Sequence, residues 1–350
     1  MEWNDKYNSF NSLKVLKHVD YWSPIIDGIV PPPIMVNLDC FNFCNFSCPH
    51  CNAKEKLEDK DIMSKDIMDK IIKLLSDWQT KTVCVGGGGE SSLNKNLGYL
   101  YKCLNDNNIK IGMVTNAANI NNLIECAKFC EWIGVSIDAS TEETFRKMKG
   151  VDNQFDNVID NVKQLISLNG PEITYKYLLH PDNIDDVYGA IKMAKTMGCV
   201  SIHIRPGGYA WFEDPKDNKF IFTDAQIERV INDIDNAREL FEDKNFKVFG
   251  ITHKFTNDWS AKHNFKKCNA IFTNCVIYSN GEIGLCCDRR GDDNLTLGHI
   301  DNIYEVWGSE KHLRMIDNIN VSKCTRCTYS HINEIFENVI LNDKMKCDFI

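Results

Sequence analysis

Cys44, Cys48 and Cys51 stand at the spacing C-x3-C-x2-C within the segment DCFNFCNFSCPHCNA, residues 39–53. Three thiolates in one short loop can each take one iron of a cubane [4Fe–4S] cluster, whose usual complement is four cysteines. The fourth iron would keep an open coordination position, as reactive metal sites do and structural sites do not. Two other chemistries share these residues. Cys48-Pro-His-Cys51 has the form of a thiol–disulfide pair, but the polar stretch NAKEKLEDKD after it lacks the helix such a pair caps, and Cys44 would have no role. A structural zinc site could use the three cysteines with His50 or Cys40.

A second set lies near the other end. Cys268, Gly281 and Cys286 read as C-x12-G-x4-C, and Cys324 and Cys327 follow as C-x2-C. Asn280-Gly281 is a strong two-residue turn signal in an alternating segment, so a hairpin there would gather Cys268 and Cys286. Four thiolates suffice for zinc or for a closed iron–sulfur cluster. Cys287 adjoins Cys286 and is an alternative to it. The remaining cysteines, Cys40, Cys84, Cys103, Cys126, Cys130, Cys199, Cys275 and Cys347 among them, read as buried packing residues.

The chain must hold both sets in place. Its 350 residues suit one large α/β domain with an appendage, or two domains. The net charge of −9 gives no basic footprint for nucleic acid or an anionic membrane surface. No apolar run approaches a membrane span, and the N-terminal MEWNDKYNSFNSLK has no signal-peptide core. With sixteen cysteines in a chain of this length, the expected setting is the reducing cytoplasm. Strands are predicted over 34–39, 82–85, 110–115, 132–137, 173–179 and 199–205. Helices are predicted over 64–78 (capped by Ser64), 155–168, 183–197 (capped by Asn183) and 223–241. Repeated βα units imply a parallel sheet or partial barrel, whose active site lies at the C-terminal strand ends. Those ends read Gly86-Gly87-Gly88-Gly89-Glu90, Thr115-Asn116 and Ser136-Ile137-Asp138, with Arg205 closing the last strand. The glycine run matches neither a P-loop nor a dinucleotide fingerprint.

These features together resemble the radical S-adenosylmethionine (radical SAM) superfamily, in which C-x3-C-x2-C follows the first strand of a partial (β/α)6 barrel. His50 stands where the family carries an aromatic residue. The resemblance implies that the open iron chelates SAM and that Gly87, Gly88, Gly89 and Glu90 receive its amino group, with Ser91 in place of the family's frequent proline. It further implies that Thr115 and Asn116, then Ser136 and Asp138, border SAM, with Ala117 and Ala139 replacing family glycines. Arg146 is a candidate for the SAM carboxylate and Arg205 for SAM or substrate. The C-terminal cysteines resemble the SPASM extension in its shorter Twitch form, because Asn333 fills the next ligand position; one auxiliary [4Fe–4S] cluster is expected on Cys268, Cys286, Cys324 and Cys327. The fold class is therefore α/β, a partial (β/α)6 TIM-like barrel at 34–210. An N-terminal extension (1–33), a connecting helical segment (211–267) and a Twitch-like domain with its tail (268–350) complete the expected division. The implied activity is reductive cleavage of SAM and hydrogen abstraction from a small or carbohydrate-type substrate, giving dehydrogenation or epimerisation, with Cys275 or Cys287 as hydrogen donor. A peptide-modifying enzyme or a non-catalytic metal-binding scaffold are the alternatives. Flavodoxin or ferredoxin is the expected electron donor.

Overall fold

The computed structural model describes residues 12–208, 210–213, 220–252, 255, 263–324 and 327–341. Cys347, the start of the N-terminal extension and much of the loop expected over 207–218 lie outside the described residues.

Six parallel strands follow the predicted order: β1 (Met35–Leu38), β2 (Thr82–Val85), β3 (Lys110–Thr115), β4 (Cys130–Ser136), β5 (Glu172–Leu179) and β6 (Ser201–Pro206). The helices between them are α2 (Lys65–Asp77), α3 (Leu97–Asp106), α4 (Ile120–Ala127), α5 (Glu142–Lys149), α6 (Phe155–Ser167) and α7 (Val187–Met197), with α1 (Val19–Ile26) before the barrel. Ser64 caps α2 through the Ile67 amide, as expected. The expected cap at Asn183 is not formed. A 3-10 turn, Ile184–Asp186, precedes α7, and the Asn183 amide instead donates to the carbonyls of Asp138 and Leu178, each at 2.9 Å. Cys126 and Cys130 do not share a helix, since Cys130 opens β4; both are buried.

The segment expected to be a helical connection also holds a strand. After α8 (Asp224–Phe241), capped by a Thr223–Gln226 capping box, β7 (Lys247–Gly250) joins β6 in parallel. The C-terminal part adds the hairpin β8 (Asn274–Ile277) and β9 (Glu282–Gly284), then β10 (Thr296–His299). β8 lies parallel to β1, so one ten-stranded sheet runs through both cysteine regions, in the order β10-β9-β8-β1 to β7. Among the described residues no helix is long and apolar enough to cross a membrane.

The two sheet faces differ. Val36, Leu38, Val83, Val85, Ile111, Met113, Ile133, Val135, Ile202 and Ile204 point into the main apolar cluster under the helices. The alternate positions hold Asn37, Cys84, Gly112, Trp132, Gly134, Lys176 and His203. Parallel strands covered on both faces read as continuous apolar runs; this alternation means that one face lines a lumen. Cys84 on β2 and Lys176 on β5 feel each other's charge, although three strand spacings of roughly 4.8 Å separate them along the sheet. The sheet therefore curls around that lumen.

Asp39, at the end of β1, is fully buried and accepts Arg290 Nε at 2.9 and 3.2 Å. Arg290 Nη1 donates to the Cys287 carbonyl at 2.5 Å. This pair ties the C-terminal region to the first strand. Replacing Arg290 with Met strands a buried carboxylate and should cost about 3–5 kcal/mol, with most of it recovered in an Asp39→Asn/Arg290→Met double variant. Urea unfolding of the two proteins measures the difference.

Candidate functional site

The cysteine loop is seated on the glycine run. Gly89 N donates to Phe41 O at 2.7 Å and Glu90 N to Phe43 O at 2.8 Å. A Cβ at Gly89 would overlap the Phe43 carbonyl, and Gly88 adopts φ +67°. Only glycine permits this approach. The loop turns back on itself through Cys51 N to Cys48 O at 3.2 Å. Cys44, Cys48 and Cys51 lie near enough to perturb one another. Burial pushes the Cys44 thiol up to about 12, against the Phe46 amide that donates to its sulfur at 3.4 Å. Burial raises Cys48 to about 11, with the Lys149 charge opposing it, and also raises Cys51.

Polar groups from four strand ends close around the loop. The Glu90 carboxylate is buried. Its Oε1 accepts from Thr115 Oγ1 at 2.7 Å and Ser92 N at 3.0 Å, and its Oε2 from Asn116 N at 2.8 Å. Asn116 Nδ2 reaches Asn45 Oδ1 at 2.8 Å and lies 3.9 Å from Cys44 Sγ. Asp138, at φ +60°, is ion-paired with Lys149 and lies 3.8 Å from His50 Nε2, and it accepts from Leu178 N at 2.6 Å. Burial alone would raise the Asp138 carboxyl, but Lys149 and His50 hold it well below the usual carboxylate range. Ser136 is in register with Lys176 on the lumen face.

Two expected residues are elsewhere. Arg146 is exposed on the outer side of α5, 3.9 Å from Asp152. The inward face of α5 carries Phe145, Met148 and Lys149, one helical stripe. Lys149, 2% exposed, is the cation beside Cys48 that sequence reading passed over; its place on that stripe was the available signal. Cys275 points into the apolar cluster beneath the helices, so it cannot donate hydrogen into the lumen. Cys287 packs on the opposite face with Val276 and Tyr278, and its sulfur lies 3.7 Å from the Tyr329 hydroxyl. Arg205, beside Lys176 and His203 at the end of β6, faces the lumen.

The second cysteine set also converges. Cys268 feels Cys324, Cys286 feels Cys268 and Cys327, and Cys327 feels Cys268 and Cys324. Burial raises all four thiols, Cys268 to about 12. Asp288 bridges the two pairs by accepting Thr328 N at 2.6 Å and Thr328 Oγ1 at 2.9 Å. Asn333 is wedged between Cys268 and Cys327, with Nδ2 at 3.9 and 4.0 Å from their sulfurs. Its Oδ1 accepts the amides of Asn269 and Ala270 at 2.6 and 2.7 Å. Among the described residues no three His, Cys, Asp or Glu side chains are gathered as one bound ion would need.

Residues 38–194 match the radical SAM superfamily, and residues 268–328 match the SPASM iron–sulfur cluster-binding domain, together more than half of the chain. The chain belongs to the radical SAM superfamily. A radical SAM domain carries a [4Fe–4S] cluster and SAM, and a SPASM domain adds auxiliary iron–sulfur chemistry. The donors present fit both groups: three thiols in one loop with none of the strand-end groups replacing a fourth, and four thiols in the second set. A probable GTP 3',8-cyclase of Saccharolobus islandicus is 26% identical over 183 residues, 51% of this chain and 59% of that protein. One from Pyrococcus horikoshii is 21% identical over 178 residues, 50% of this chain and 57% of that protein. The radical SAM protein thus spans less than two thirds of the curated relatives it matches. Among solved structures, Streptococcus suis SuiB bound to precursor peptide SuiA aligns with TM-score 0.64 at 15% identity, over 93% of this chain and 77% of that one. The anSMEcpe structure with bound AdoMet and Cp18Cys peptide aligns with TM-score 0.64 at 17% identity, over 87% and 88%. At these identities the likeness is one of fold.

Lys149→Met should leave Asp138 as an uncompensated buried charge and cost about 3–5 kcal/mol near pH 7. Because the Asp138 carboxyl is depressed in the folded protein, its contribution is present above the ordinary carboxylate range and lost as pH falls through the folded value. In the variant, burial without Lys149 raises the same carboxyl, which takes up a proton and sheds its penalty well above that value, so the gap between variant and wild type should narrow by pH 4. Arg146→Ala should change stability by no more than about 0.5 kcal/mol. Denaturant unfolding at pH 7 and pH 4 checks both.

Proposed function

We propose that this radical SAM protein is an enzyme that cleaves SAM reductively and abstracts hydrogen from a small molecule held in the barrel lumen, giving dehydrogenation or epimerisation. The observation that carries the reading is the seating of Cys44, Cys48 and Cys51 over that lumen, ringed by Glu90, Asn116 and the Asp138–Lys149 pair. When bound, the cluster and SAM supply a 5′-deoxyadenosyl radical as the hydrogen acceptor.

The chain's own residues would bind and orient. Cys44, Cys48 and Cys51 hold the cluster. Gly87, Gly88 and Gly89 would present backbone carbonyls to the SAM amino group. Glu90 spends three acceptor sites on Thr115, Ser92 and Asn116, which leaves about one of a carboxylate's four for an ammonium. Lys149, beside Cys48 and paired with Asp138, would be the nearer cation to a SAM carboxylate in place of the exposed Arg146. Ser136 and Asp138 border the same space. Cys268, Cys286, Cys324 and Cys327 hold one auxiliary cluster, with Asn333 directing its amide at two of the sulfurs where a longer ligand pattern would add another. Such outer contacts tune cluster potentials. An epimerase would have its hydrogen donor in Cys287; for a dehydrogenase, Cys268, Cys286, Cys324 and Cys327 would hold a cluster able to accept an electron.

A flavodoxin or ferredoxin would supply the electron, and the cytoplasm is the setting, since thiolate ligation needs a reducing compartment. The unit 34–210 serves SAM, 268–350 the auxiliary cluster, and 211–267 joins them. Peptide modification is the second reading, favoured by the precursor peptide bound to SuiB.

Anaerobically reconstituted protein should hold about eight irons per chain, as two cubanes. Cys44, Cys48 and Cys51 changed together to Ala should halve that and abolish 5′-deoxyadenosine release with dithionite and SAM. The same change at the four C-terminal cysteines should halve the iron and leave release measurable. Full release from the triple variant would overturn the reading.

A further inference from the structure

The lumen holds four enclosed or partly enclosed cations, Arg290, Lys149, Lys176 and Arg205, with different surroundings. Arg290 is paired with Asp39, and Lys149 with Asp138. Lys176, at mid-strand on β5, has no such partner: among the described residues no carboxylate lies within ion-pair reach of its Nζ. Charges shut away from water are ordinarily paired, as Arg290 and Lys149 are; Lys176 is half-buried and its ammonium faces no carboxylate.

Its neighbours are fixed. The register sets Ser136, Lys176, His203 and Phe249 side by side across β4 to β7. Gly134 leaves room for the lysine stem, which a Cβ there would overlap. Lys176 Nζ lies 3.0 Å from His203 Nδ1 and 5.4 Å from the centre of the Trp132 ring. Burial, with the charges of Lys176 and Arg205 adding to it, drives His203 to the neutral imidazole. That imidazole therefore accepts one of the three ammonium hydrogens at Nδ1. Burial, and after it the like charge of Arg205, pushes the lysine down to about 8.

Resting on the radical SAM reading above, we propose that Lys176 and His203, with Arg205 beside them, form a lumen subsite that binds an anionic group of the substrate, a carboxylate or a phosphate. An incoming anion would supply the missing counter-charge and form charge-assisted hydrogen bonds of the stronger kind. The cluster and SAM would lie above, at the strand ends, so the anion would anchor the substrate at one end and leave the other toward the reacting centre. Trp132 and Phe249 would form apolar walls.

The test is labelling of the reconstituted holoprotein with pyridoxal 5′-phosphate at pH 7.5, followed by borohydride reduction and peptide mapping. The reagent is an anionic aldehyde, and a lumen open to a substrate anion is open to it. The amine of Lys176 should be neutral in a fraction on the order of 100 times that of an ordinary lysine. Lys176 should label about tenfold faster than surface lysines once its lower nucleophilicity is counted. Pyridoxal shares the advantage of the neutral amine but not that of the anion site, so its preference for Lys176 should be smaller than that of pyridoxal 5′-phosphate. Inorganic pyrophosphate and malonate are the competitors: protection by pyrophosphate alone assigns a phosphate, by malonate alone a carboxylate, and by both the shared anion chemistry. Labelling of Lys176 no faster than surface lysines, equal preference from pyridoxal, or no protection by either anion overturns the proposal. Release of 5′-deoxyadenosine from the same preparation is read separately. Its absence sinks the radical SAM reading without touching the labelling result.

Discussion

Three thiols can serve one cubane only if the backbone that carries them is pinned, and here a row of residues without side chains does the pinning. Gly88 and Gly89 let the loop after β1 lie on the end of β2 at hydrogen-bond distance. Gly87 gives up its side-chain volume to the Arg290 guanidinium and the Asp39 carboxylate. Glu90 then turns the same peptide into a junction, since its carboxylate joins the end of β2 to the end of β3. Every other element of the site is measured from this contact.

The lumen shows what such a site costs a parallel sheet. One face buries aliphatic side chains under the helices in the ordinary way. The other carries charge, and most of that charge is matched within the chain: Asp39 with Arg290, Asp138 with Lys149. Pairs of this kind offset desolvation without adding much net stability. What they give is a definite arrangement, because each partner comes from a different element. Arg290 and Asp39 lie 251 positions apart, and Lys149 reaches Asp138 from the far end of the following helix.

Much of this was legible in the sequence, because βα repeats put chemistry at strand ends and strand ends can be read from periodicity. Glu90, Thr115, Asn116 and Asp138 are found where that logic puts them. The four C-terminal cysteines lie near enough to perturb one another, with Cys268 and Cys286 on either side of the β8–β9 hairpin. The exceptions have physical causes. Arg146 and Lys149 are three positions apart on one short helix, and only the rotation of its apolar stripe tells which faces inward. Asn183 has the right side chain to cap a helix, but two buried carbonyls compete for its amide. β7 is no shorter than β1 or β2, but its two apolar residues, Val248 and Phe249, are adjacent and flanked by Lys247 and Gly250, so neither alternation nor an apolar run declares it. Cys275 and Cys287 have the same chemistry, and the face each takes depends on the register of β8 against β1, a pairing that no local pattern encodes.

That pairing also has a consequence in time. β1 is flanked in the finished sheet by β2 and by β8, and Met35 faces Asn274 across the second junction. The ribosome adds about 5–20 residues each second, so roughly 240 further residues take on the order of ten to fifty seconds. For that interval one border of the first strand has no neighbour, and Asp39 at its end waits for an arginine not yet made. The nascent chain therefore has its first cysteine loop beside an open strand edge until the residues of β8, from Asn274 onward, emerge. Assembly of the N-terminal metal site and arrival of the C-terminal hairpin are thereby ordered by synthesis itself.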